Sequence, residues 1–191
     1  PITYRWYKNG TATSDTITGA TSNFYTISSV VSSNGGTYYC RATNNCSSAT
    51  TSAIDFTVKT APAISSQSSN LVLCPAQLAT FSVTATGTTP ITYKWYKDNT
   101  LISGATSSTY QISSVTATDA ANYYCAITNS CGTANSSTKT LTVNVVPTIT
   151  YKSPSDSVCL GQSKTFNITA SGSAPITYRW YKNGTATSDT I

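Results

Sequence analysis

The strongest constraint on this chain is a Trp-Tyr-Lys triplet followed by a Tyr-Tyr-Cys triplet, both recurring at nearly fixed distances. WYK begins at Trp6, Trp95 and Trp180, and YYC occupies 38–40 and 123–125. One constant interval separates Cys40 from Cys125, Cys46 from Cys131, Cys74 from Cys159, and Pro62 from Pro147. Trp6 and Trp95 lie slightly further apart, because KNGTATSDTITGATSNFY in the first unit is four residues longer than KDNTLISGATSSTY in the second. Residues 175–191 then repeat residues 1–17, PITYRWYKNGTATSDTI, letter for letter. Self-similarity at a fixed period marks a repeat architecture. The units alternate as A-B-A, and the super-repeat runs from Trp6 to Trp180. Identity between alternate units beside divergence between neighbours implies recent duplication of a two-unit block. The chain therefore reads as a window cut from a periodic polymer, with its ends inside units.

Within the complete unit, ATFSVTAT, ITYKWYK, STYQISSV, NYYCAIT and TKTLTVNV are β-branched and aromatic runs of period two, separated by Gly, Pro, Asn and Asp. Evenly spaced short strands without a helical stretch predict an all-β sandwich. Charged residues make up 9% of the chain, against about 25% in ordinary globular domains. Ser, Thr, Asn and Tyr supply the polarity, and a hydrophobic share of 39% is enough to build a core. The net charge of +5 is scattered, so it makes no case for nucleic acid. No apolar run approaches the ~20 residues of a membrane helix, and no signal peptide is visible.

DAANYYC at 119–125 and NGGTYYC at 34–40 place a Tyr two residues before a Cys, just past an Asp or Asn corner. That is the tyrosine-corner arrangement at the start of an F strand. With Trp thirty residues upstream and FSVTATG before it, the unit resembles an immunoglobulin-like domain. More narrowly, the whole chain resembles the tandem immunoglobulin-like repeats of giant Bacteroidota cell-surface adhesins of the gliding-motility, SprB type. The resemblance implies tandem immunoglobulin-like β-sandwich domains in an extended array. Residues 1–60 would be strands C to G of a first domain, 61–146 a complete domain, and 147–191 strands A to C of a third. It also implies that Trp6 and Trp180 are buried. The immunoglobulin B-strand Cys falls at Val83, so Cys40 and Cys125 lack their usual partner and pack as small hydrophobes.

Three cysteines per unit cannot all pair within a unit, although an exported β protein of this kind invites disulfides. On the immunoglobulin layout Cys74 lies in the A′–B turn and Cys131 in the F–G turn, at opposite poles. Bridged Cα atoms must lie within about 7 Å. We therefore expect Cys46, Cys74, Cys131 and Cys159 as candidates for staples between neighbouring domains. Reduced thiols, or an in-domain bridge on a shifted alignment, remain the alternatives. A zinc site is not expected: there is no CxxC pair and no His, so the ligand spacing is wrong.

Catalysis requires a nucleophile with its base, paired carboxylates or a metal. There is no His, and the six acidic residues are Asp at isolated positions. Neither a calcium cluster nor a phosphate loop is present. No enzyme activity, catalytic residue, cofactor or metal is expected. By strand alternation the outer face of the G-F-C sheet carries Arg5, Tyr7, Tyr39 and Arg41 in the first unit, and Lys94, Tyr96 and Tyr124 in the second. Tyr and Arg are favoured at binding hot spots, and Arg over Tyr is attractive. The plainer account is that such pairs only support an exposed sheet. DTI at 15–17 and 189–191, and DSV at 156–158, look like Bacteroidota O-glycan sites, with Thr16, Thr190 and Ser157 as candidate acceptors. NGT, NCS, NSS and NIT are further sequons.

FTVKTAPAI (56–64) and LTVNVVPTI (141–149) join the units without a Gly/Ser tract, so the junctions should be semi-rigid. Repeated, they would build an array in which each domain touches its neighbours. The expected role is a structural repeat segment of an extracellular, cell-surface-attached fibre or adhesin stalk, or a filament used in adhesion or gliding. The rivals are glycan- or protein-binding modules and a spacer on an exported enzyme. Expected partners are neighbouring identical repeats and surface glycans or substratum polymers, with lateral self-association open. Nucleic acid and membrane insertion are not expected.

Overall fold

The computed structural model describes residues 1–185, and Thr190 lies outside them. Two compact units emerge. The first comprises Pro1–Ala63 with Thr86–Ile91 and Thr128–Thr133, and the second Ile64–Ala85, Thr92–Ile127 and Ala134 onward.

In the first unit β1 (Thr3–Lys8) pairs antiparallel with β2 (Gly36–Thr43), and β2 pairs with β3 (Ser48–Thr50) and β4 (Ile54–Phe56). The β1–β2 register sets Arg5 against Arg41, Trp6 against Cys40 and Tyr7 against Tyr39. Residues 21–31, where the repeat places the D and E strands, carry no strand. Trp6 is only half-buried. Both observations depart from the expectation: among the described residues no strand packs against Trp6 as β7 packs against Trp95.

The complete repeat unit, residues 61–146, hereafter the second unit, contains both layers. Its strands are β5 (Ala63–Gln67), β6 (Leu71–Leu73), β7 (Ala79–Thr86), β8 (Thr92–Lys97), β9 (Thr100–Leu101), β10 (Thr109–Ile112), β11 (Ala121–Asn129), β12 (Gly132–Asn135) and β13 (Lys139–Val143). One sheet runs β10-β7-β5, and the other runs β6-β13-β11-β8-β9 with β12 beside β11. β6 joins β13 in parallel while β11–β13 is antiparallel. Alternate residues of β7 (Ala79, Phe81, Val83) and β11 (Tyr123, Cys125, Ile127) enter the core with Trp95, Val115 and Leu141. Phe81 stacks on Tyr123 at 4.7 Å and lies 6.3 Å from Trp95.

The corners form as the sequence requires. The Tyr123 hydroxyl donates to the Asp119 carbonyl at 2.8 Å, and that of Tyr38 to the Asn34 carbonyl at 2.6 Å. Asp119 also accepts from the Thr116 N–H at 2.8 Å and the Thr116 hydroxyl at 2.7 Å. These bonds hold its carboxyl below the ordinary range, with Lys97 assisting at 4.0 Å. The stability it contributes is full above the unfolded pKa, about 3.9, and is lost as pH falls through the lower folded value. Asp119→Ala is expected to cost about 1–2 kcal/mol at pH 7 and to flatten the acid side of a melting-temperature profile. Asp119→Asn should retain most of that stability, because Asn34 accepts the Val31 N–H at 2.7 Å in the equivalent place.

Further along, β14 (Thr148–Lys152) pairs with β15 (Ile168–Ser171). Residues 175–180 belong to no strand, and Trp180 is 40% exposed. The expected C strand and burial are therefore not realised there. Among the described residues none pairs with 175–180 as β11 pairs with β8. Gly87, with φ +135°, marks a close approach inside the first unit: a Cβ there would stand 2.9 Å from the Ala61 carbonyl.

Candidate functional site

The outer face of the first sheet assembles as strand alternation predicts, with one correction. Arg5 is exposed, Arg41 and Tyr39 are half-buried, and Tyr7 is buried, 4% exposed. Two things cover Tyr7. The Arg41 guanidinium lies 5.2 Å above its ring, and the chain returns to bridge Tyr7 at Thr16, as Leu101 of β9 pairs with Tyr96 in the second unit. The Ile17 N–H donates to the Trp6 carbonyl at 2.9 Å. Strand alternation put Tyr7 on the correct face but could not show that the Arg41 guanidinium would cover its ring.

Arg41 is pinned from both sides, since its Nε also donates to Thr50 Oγ1 at 3.2 Å. Arg5 stands directly opposite. Like charges directly opposite one another on a sheet are unfavourable, and among the described residues neither guanidinium has a carboxylate at ion-pair distance. An open groove of about 610 Å³, lined by Thr3, Arg5, Tyr7, Thr21, Arg41 and Thr43 among others, runs past both. In the second unit Tyr96 and Tyr124 stack at 4.8 Å with their rings nearly parallel, and Lys94 is exposed. The counterpart of Arg41 in the second unit, at the interval that separates Cys40 from Cys125, is Ala126. The paired arginines are therefore a feature of the A-type unit.

The other candidates are scattered. Thr16 Oγ1 is buried without a hydrogen-bond partner, so the folded unit encloses this acceptor. Asp15 is engaged too, accepting the Ala12 N–H at 2.9 Å. Ser157 is exposed. Cys46, Cys74, Cys131 and Cys159 are free and exposed, whereas Cys40 and Cys125 are free and buried. Burial pushes the Cys125 thiol up to about 11, which keeps it protonated and unreactive. Cys74 sits in the turn between β6 and β7, its N–H donating to Gln77 Oε1 at 2.7 Å. Cys131 sits in the turn between β11 and β12, its N–H donating to Asn129 Oδ1 at 2.9 Å. No group of three metal-ligating side chains occurs among the described residues. Among them, too, no helix is long and apolar enough to cross a membrane.

Comparison with known proteins agrees with the strand order. Residues 1–58 and 61–129 each match a family model described as an immunoglobulin domain. Roundabout homolog 1 of Rattus norvegicus is 31% identical over 157 residues, covering 80% of this chain and 9% of that protein. The Mus musculus protein is 30% identical over the same length, covering 80% and 10%. The chain thus spans about a tenth of the length of these relatives. Among solved structures, the titin I-band fragment I67–I69 superposes with a TM-score of 0.66 at 17% identity, over 96% of this chain and 69% of that one. Extracellular domains 3–5 of Drosophila OTK give 0.52 at 21%, over 73% and 51%. The chain is a tandem array of immunoglobulin-like domains.

Proposed function

We propose that this chain is a repeat segment of a long extracellular fibre attached to a cell surface, a stalk that spaces an adhesive tip or a filament used in adhesion or gliding. The observation that carries this reading is the letter-for-letter return of residues 1–17 at 175–191. A duplicated two-domain block is how an array lengthens, and a spacer gains reach from each added block. Sparse charge and the exposed Ser157 suit a sugar-bearing surface protein, and the exposed Cys46, Cys74, Cys131 and Cys159 suit staples between neighbouring domains. The finer reading, a bacterial adhesin of the gliding type, rests on the resemblance of the tandem repeat as a whole, while the YRWYK and YYC motifs carry the immunoglobulin-like fold. The segment works without chemistry of its own. The test is an antibody against the second unit applied to intact producing cells. Surface labelling, with loss of adhesion or gliding when repeat blocks are deleted but the ends are kept, is the expected result. An intracellular protein, or full adhesion after shortening, would refute it.

A second reading is favoured by the opposed Arg5 and Arg41: recognition of an acidic polymer by the A-type unit. Heparin-oligosaccharide binding is expected to fall about tenfold or more in Arg5→Ala or Arg41→Ala and to weaken with salt. Unchanged binding in both variants would remove this reading.

A further inference from the structure

We propose that each linker between repeats is a latch, stitched through its backbone onto a hydroxyl-bearing corner of the repeat it enters. This stitch, more than the lack of Gly and Ser in the linker, is what limits bending there. In FTVKTAPAI the Thr60 N–H donates to Thr88 Oγ1 at 2.9 Å. The Thr88 N–H donates in return to the Thr60 carbonyl at 3.1 Å. Thr88 lies in the corner between β7 and β8, and Asn129, the last residue of β11, closes the stitch. The Asn129 side-chain amide donates to the Thr60 carbonyl at 2.8 Å and to the Thr88 carbonyl at 2.9 Å. Its Oδ1 accepts the Cys131 N–H at 2.9 Å, so both amide protons and the oxygen are engaged.

The same stitch recurs at the interval that separates Cys40 from Cys125, with Val145 in place of Thr60 and Ser173 in place of Thr88. The Val145 N–H donates to Ser173 Oγ at 2.8 Å, and the Ser173 N–H to the Val145 carbonyl at 2.9 Å. Gly172 stands where Gly87 stood, with φ +152° and room for no Cβ, which would lie 3.0 Å from Pro147 Cα. The pattern of change between the two stitches shows what each position must supply. The linker residue passes from Thr to Val, and both bonds that recur use only its backbone. The corner residue keeps a hydroxyl, because there the side chain is the acceptor.

At the later linker the preceding residue is tied the other way. The Asn144 N–H donates to the Leu73 carbonyl of β6 at 2.8 Å. Consecutive residues are thus held by β6 before the junction and by the corner after β15 beyond it, and no free residue lies between them to act as a hinge. Thr60, Thr88 and Asn129 belong to one compact body, and Leu73, Asn144, Val145 and Ser173 to the other. Bending at either linker requires its stitch to open first. The inference concerns the junctions alone and does not rest on where the fibre is displayed.

Lys59 is exposed, so the Lys59–Thr60 bond is a tryptic site inside the first stitch. Cleavage there in the 191-residue chain reads the open population, since a protease needs the peptide free of its hydrogen bonds. Thr88→Val keeps the shape and removes the hydroxyl acceptor. It should raise cleavage after Lys59 about tenfold and speed amide exchange of Thr60. Thr88→Ser should stay close to the unchanged chain, as Ser173 makes the same bond. Ser173→Ala should speed exchange of Val145 and leave Thr60 as it was. Exchange along β11, followed in every variant, should not change. Equal cleavage of Thr88→Val and the unchanged chain, or cleavage of Thr88→Ser as fast as Thr88→Val, overturns the proposal. So does faster exchange of β11 together with Thr60, which would mean that the repeat unfolds instead of the linker letting go.

Discussion

Phe81→Ala is expected to remove about 3–5 kcal/mol from the unfolding free energy of the second unit, the largest single loss we predict from a truncation. Phe81 is 0% exposed and its ring sits between Tyr123 and Trp95. Both neighbours are anchored: the Tyr123 hydroxyl on the Asp119 carbonyl, and Trp95 Nε1 on the Ser107 carbonyl at 2.9 Å. Anchored neighbours cannot collapse into the space, so the cavity term adds to the transfer term. A loss of that size is a large share of the stability of a domain of this length. Phe81→Leu should cost markedly less. Denaturant unfolding followed by Trp fluorescence measures both.

Val115→Asp and Val30→Asp make the second prediction, one substitution at two equivalent positions with opposite outcomes. Val115 is 1% exposed, and Val30, its repeat counterpart in the first unit, is 50% exposed. Placing a carboxylate at Val115 buries an unpaired charge in an apolar core, which should cost about 4 kcal/mol or more. At Val30 the carboxylate reaches water, and at dilute concentration the change should stay within about 0.5 kcal/mol. Comparable losses at the two sites would mean that the first unit's face is not open. The contrast comes from which strands are present to cover the residue, not from the sequence around it.

That distinction also marks how far the sequence could be read. The Trp95, Tyr123 and Cys125 positions, the Asp119 corner and the outer Tyr96–Tyr124 pair were all legible, because each depends on period-two alternation and local turn chemistry. The exposure of Trp6 and Trp180, and the missing strands at 21–31 and 175–180, were not. A strand's existence depends on a partner distant in sequence, and propensity carries no record of whether that partner is there. FYTI at 24–27 is as good a strand former as TYQI at 109–112, yet among the described residues TYQI pairs with β7 and FYTI with no strand. The burial of Tyr7 escaped for another reason. Arg41 lies 5.2 Å above its ring, and alternation gives the face of a residue but not which neighbouring side chain folds over it.

Amide hydrogen exchange across the chain, at low micromolar concentration, is the most direct test of this fold: tandem immunoglobulin-like units in which, among the described residues, 61–146 builds both sheets. β7, β8, β10, β11 and β13 are expected to exchange slowest and open together, while 21–31 and 175–180 exchange orders of magnitude faster than their counterparts at 106–116 and 90–95. Equal protection of 24–27 and 109–112 under those conditions, or early exchange of β7 and β11, would contradict it.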